Sequence, residues 1–308
     1  MHVCVKTIAV CILLTTIAGC SDRSGGAGEQ GPSEPVLYAT NYPLAYFAER
    51  IAGNTAAVVF PEINGDPAFW QPGDPQITEM QAATLILTNG ATYEKWAKTV
   101  SLPSAKTIDT SKGFEDRFIQ INGSETHSHG KEGEHSHAGT AFTTWMDFNQ
   151  ARQQAEAVRD ALLEAMPDEV ETIRANAKAL LAEIDDLHID MKSVTATMGE
   201  RPLMASHPVY QYFARQYGLN MKAVLWEPET VPSEQDMADL AAILADHKAT
   251  WMVWEGGPVT ESVEMLQAIG VNSVIVDPCG NRPAKGDWLT GMKQNIANLK
   301  AINTGSPK

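Results

Sequence analysis

Cysteine is scarce. The 308 residues hold four, at positions 4, 11, 20 and 279, too few and too scattered for a disulfide framework. Long hydrophobic runs are lacking as well: the stretch from Ile8 to Leu14 is too short to span a bilayer as a mature helix. Positive charge is in deficit, with 23 Lys and Arg against 38 Asp and Glu, a formal net charge of −15. No basic cluster interrupts that balance, which argues against a nucleic-acid partner. Also absent are HExxH, GxSxG, a Gly-rich phosphate loop and any ordered nucleophile–base pair, so no enzyme is expected. Stability must come from a hydrophobic core, and roughly 270 residues suffice for two modest lobes.

The N-terminus sets the expected compartment. Lys6 and the short apolar run read as a signal peptide over residues 1–19. Ile17-Ala18-Gly19-Cys20 resembles a bacterial lipobox, in which small residues admit the peptidase and the Cys20 thiol carries the lipid. Residues 20–35 are rich in Gly, Ser and Pro and suit a flexible tether. The expected location is periplasmic or cell-surface, with attachment to the membrane through the lipid on Cys20. Cleavage after Gly19 would leave only Cys20 and Cys279, and because the lipid takes the Cys20 thiol no intrachain disulfide is expected.

Two series of short β-rich runs follow, each alternating with amphipathic stretches. The first has strand-like runs at Val36–Ala39, Ala57–Phe60, Leu85–Leu87 and Thr107-Ile108; the second has them at Leu203–Ala205, Met221–Trp226, Trp251–Trp254 and Ser273–Val276. Such alternation predicts α/β lobes with parallel sheets, over residues 36–165 and 200–303. Between them, Ile173, Ala177, Leu180, Leu181, Ile184, Leu187 and Met191 recur at helical spacing without Pro or Gly. That pattern predicts one long rigid helix over 168–198 joining the lobes, with a break near Asp185-Asp186 as the alternative.

The stretches ATNYPLAYFAERIAGN, GDPAFWQPGDPQITEMQAATLILTNGATYEKW, ASHPVYQYFARQYGLN and PSEQDMADLAAIL, closing on VDP…MKQNIANL, carry a resemblance. Over nearly all of 36–303 the chain resembles the zinc- and manganese-uptake binding lipoproteins of ABC importers. The resemblance implies two (β/α) lobes, a cleft that captures a divalent metal ion, zinc first with manganese or iron as the alternatives, and an ABC permease as partner. It also implies that His207 and Asp277 are metal ligands. Independently, each follows a strand-like run, and open parallel sheets bind ligands at the carboxyl ends of their strands. Imidazole with carboxylate suits zinc, and also manganese or iron. Glu255 stands at another such end and could border the cleft or cap the next helix. Trp226, Trp251, Trp254, Tyr210 and Tyr212 read as core.

Two departures stand out. The family's first lobe places a His where this chain has Ala68, and another where it has Thr143. Neither is a good ligand for a borderline-soft cation. Just upstream of Thr143, residues 124–139 hold two His-x-His pairs, His127 with His129 and His135 with His137. This loop is expected to collect metal, and its imidazoles are candidates to replace the missing ligands. The other possibility is a degenerate relative acting as a surface metal buffer or an adhesion protein.

Overall fold

The computed structural model describes residues 34–121, 126–128, 134–136 and 139–305. The expected signal peptide, Cys20 and the expected tether up to Ser33 lie outside the described residues.

The chain begins with β1 (Val36–Ala39) and passes directly into α1 (Tyr42–Ala52). Asn41 starts that helix by accepting a hydrogen bond from the Leu44 N–H at 3.0 Å, and Gly53, at φ 61°, ends it. Next come β2 (Ala57–Val59), α2 (Asp74–Ala82), β3 (Leu85–Thr88) and β4 (Thr107–Asp109). These strands form one parallel sheet in the order β2-β1-β3-β4. Beyond it, β5 (Gln120–Ile121) pairs antiparallel with β8 (Gly139–Thr140). In the excursion between them, β6 (Thr126–Ser128) pairs with β7 (Glu134–Ser136), which sets His127 opposite His135.

Two helices connect the halves. α3 (Phe148–Ala165) was not legible as a helix, because its buried face rests largely on Ala151, Ala155 and Ala161, which give a weak hydrophobic signal. α4 (Val170–Ala196) is the expected long helix, unbroken at Asp185-Asp186 and about 40 Å long at 1.5 Å per residue.

The second half runs β9 (Pro202–Ala205), α5 (Gln211–Tyr217), β10 (Asn220–Ala223), α6 (Glu234–His247), β11 (Trp251–Trp254), α7 (Thr260–Ala268), β12 (Asn272–Ile275) and α8 (Trp288–Thr304). Its parallel sheet has the order β10-β9-β11-β12, so both lobes share one strand order. The strand expected to reach Trp226 stops at Ala223. Even so, the N–H groups of Val224 and Trp226 still bond the carbonyls of Ala205 and Ser206.

α4 packs against α1 and α3 of the first half and against α8 and α5 of the second. The buried residues it contributes belong to a single apolar core that includes strands of both sheets. Trp288, at the start of α8, closes the seam. Its ring lies 5.0 Å from Phe47 and 6.1 Å from Phe148, centroid to centroid, both edge-on. The lobes are therefore held by one shared interior. Leu180→Ala, at a fully buried position of α4, should lower unfolding stability by about 2–5 kcal/mol in urea titration while leaving the helical content intact.

Candidate metal centre

Three strand ends converge. His207 lies two residues beyond β9, fixed by the Ser206 N–H bond to the Val253 carbonyl and by its own carbonyl accepting from Val209. Glu255 follows β11 directly. Glu227 comes from the extension of β10, where the Trp226 N–H bond to Ser206 holds the chain alongside His207. The imidazole is 4% exposed, and its Nδ1 stands 3.3 Å from a Glu227 carboxylate oxygen and 3.1 Å from one of Glu255. One donor atom from each residue fits within 4.8 Å of the others, close enough to share a cation.

Electrostatics bind the trio together. Burial alone would lower the His207 pKa, but hydrogen bonds and charge from Glu227 and Glu255 outweigh it and push the value up to about 10. The ordinary imidazole value near 6.5 would instead confine the loss of metal affinity to pH below 7. Across the cleft, loss of surrounding water raises Asp66 to about 6, although the residue as a whole remains exposed at the cleft mouth. The Ala68 N–H opposes that rise, whereas the charges of Glu255 and Glu227 add to it.

Asp277 lines the same cavity, but its carboxylate is not one of the clustered donors. The reason is topological. β12 is separated from β9 by β11, roughly two strand spacings of 4.8 Å. One Asp277 oxygen also accepts the Cys279 N–H at 2.7 Å. Glu255 does border the cleft, whereas Glu227 escaped sequence reading. Its only signal is the Glu-Pro step just past a strand, which also reads as a plain turn.

On the N-terminal side, Ala68 and Thr143 are buried, and the Thr143 hydroxyl donates to the Val209 carbonyl across the cleft. The main chains of His127 and His135 are paired, while His129 and His137 lie outside the described residues, as do all four imidazoles of the loop. The facing wall is aromatic, formed by Phe69, Tyr93, Phe142 and Trp145. Lys95 stands over the Phe69 ring at 4.6 Å, and burial lowers its pKa. Tyr93 is aimed by a constrained loop. Gly90 at φ 74° is followed by Ala91 and Thr92 at φ 49° and 63°, and a Cβ on Gly90 would fall 2.0 Å from an Asp109 oxygen. The Glu94 carboxylate holds the loop, accepting from the Asn89 N–H at 2.6 Å, the Gly90 N–H at 3.1 Å and the Thr40 hydroxyl at 2.5 Å. The cavity between the walls measures about 800 Å³.

A family model described as zinc-uptake complex component A, periplasmic, matches residues 37–302. The chain is 25% identical over 308 residues to the high-affinity zinc uptake system protein ZnuA of Bacillus subtilis, covering 95% of each. It is 23% identical over 296 residues to the zinc-binding lipoprotein AdcA of Streptococcus pneumoniae, covering 92% of this chain and only 58% of that longer relative. The crystal structure of the zinc-bound ZnuA-like domain of the pneumococcal protein shares the fold, with a TM-score of 0.74 at 20% identity, covering 88% of this chain and 99% of that one. With the family match extending from Leu37 to Ile302, the chain belongs to the zinc-uptake complex component A family.

Proposed function

We propose that this protein is an extracytoplasmic receptor that captures a divalent cation, zinc first, and delivers it to the permease of an ABC importer. The observation that carries this reading is the convergence of His207, Glu227 and Glu255 from three neighbouring strand ends. One imidazole and two carboxylates, held before the metal arrives, form a site with little ordering cost. Asp277 and Asp66, on the same cavity, are candidates for a further oxygen ligand. His127, His129, His135 and His137 act as a collecting loop that raises the local metal concentration. Family membership and relatives named for zinc binding and zinc uptake support the assignment. A second reading, manganese or iron as cargo, is favoured by one observation: two carboxylates and one imidazole are a harder donor set than several imidazoles.

Metal analysis of protein purified without chelator tests the site. One firmly held equivalent of zinc is expected, and deletion of residues 124–139 should remove only additional, weaker metal. His207→Ala should weaken zinc binding by more than the roughly 100-fold reached by substitutions outside the coordination sphere. Equal losses at any single loop His, in competition with a chromophoric chelator, would refute the assignment.

Proton linkage gives a second test. The folded-state pKa of His207 is raised, so the stabilisation from its imidazolium is full below the unfolded value of about 6.5. It is lost as pH rises through about 10. Zinc must displace this proton, so affinity should climb about tenfold per pH unit between roughly pH 7 and 9. Calorimetry in buffers of different ionisation enthalpy should record one proton released per zinc at pH 7.5. A pH-independent affinity would contradict a protonated His207.

Anchoring is the remaining element of the proposal. Cys20→Ser should move the protein from membrane to soluble fractions, and a wild-type protein already free of lipid would rule the anchor out.

A further inference from the structure

The cavity is far larger than a cation requires. Its volume of about 800 Å³ equals the liquid share of some twenty-five waters, at ~30 Å³ each, and falls among small-molecule pockets. Its walls differ in chemistry. Asp66, Glu227, Glu229, Asp236, Glu255 and Asp277 all line it, with no Lys or Arg among the described lining residues. The opposite wall carries rings instead of ligands: Tyr93 packs edge-on against Phe142 at 5.4 Å and Trp145 at 5.7 Å between centroids. Trp145 is fixed by its indole N–H, which donates to the Pro278 carbonyl at 2.7 Å. Thr143 cannot serve the metal without breaking its bond to Val209. Tyr93 is 2% exposed, and its buried hydroxyl has no hydrogen-bond partner among the described residues, although such groups are normally satisfied.

We propose that the cargo is a metal chelate rather than a bare ion. His207, Glu227 and Glu255 hold the cation, and a small chelator of amino-acid type fills its remaining coordination. That molecule lies on the Tyr93–Phe142–Trp145 wall and accepts a hydrogen bond from the Tyr93 hydroxyl. This inference rests on the metal-receptor reading above. Three clustered protein donors leave one position of a four-coordinate zinc open and two of a five-coordinate one, which a chelator's nitrogen and oxygen can fill in place of Asp66 or Asp277. Charge selects the class of chelator. Six carboxylates with no lining Lys or Arg among the described residues outnumber the charge of one imidazolium or one zinc ion, so they repel polycarboxylates such as citrate and admit a neutral or cationic ligand. The aromatic wall adds apolar and cation–π contact for it.

The test is equilibrium dialysis of the full chain with radiolabelled zinc, with and without labelled L-histidine as the probe chelator. Histidine should be retained only when zinc is present, one per zinc, and zinc should be held at least tenfold more tightly with it than without. Tyr93→Phe should lower histidine retention per bound zinc about fivefold, the effect of one lost hydrogen bond. Zinc bound equally tightly alone, with histidine merely stripping it into solution, would overturn the chelate inference and leave the receptor reading standing. Joint retention that persists in His207→Ala would place capture away from the cleft and overturn it as well. Failure to retain zinc under either condition would overturn both readings.

Discussion

Neighbouring strands in a parallel sheet lie about 4.8 Å apart, and everything at this site depends on that spacing. Side chains placed just beyond the carboxyl ends of adjacent strands fall within coordination distance of one another. β10, β9 and β11 are consecutive in the second sheet and supply Glu227, His207 and Glu255 in that order. One strand further along, Asp277 still faces the same cavity, but its carboxylate caps its own turn. Membership of the cluster is thus decided by position in the sheet, since all four residues carry suitable donors.

Burying an imidazole between two carboxylates would be costly if any charge were left unpaired. A proton on His207 meets that need by pairing with both Glu227 and Glu255. Under the proposed function, that proton stands where the cation would bind and keeps the three side chains together until it is displaced.

The opposite wall carries Ala68 and Thr143 at the positions where the resemblance led us to expect histidines. Thr143 turns its hydroxyl to the Val209 carbonyl and ties the lobes together across the cleft. Tyr93 is presented by a loop of left-handed residues that Glu94 fastens from beneath, so its ring has a fixed bearing on the cavity. Behind both, α4 and the Trp288 seam run through a single core and set the distance between the walls. The cleft thus has an acidic face and an aromatic face.

Much of this was written in local sequence. The period of Ile173, Leu180, Ile184 and Leu187 specified the long helix, and the runs at Val36–Ala39 and Trp251–Trp254 specified strands, because each pattern reports which face of an element meets the core. His207 was legible because a strand, a His and a resemblance coincided there. α3 was not, since alanines bury a helix face without announcing it. Nor was Glu227, whose role requires β10 to lie beside β9 and its extension to stay hydrogen-bonded to Ser206. The sequence by itself determined the two α/β lobes and the helix between them, which are local facts of periodicity and residue type. Which carboxylates gather around His207 was decided only by tertiary structure, because strand order brings together residues that sequence spacing keeps apart.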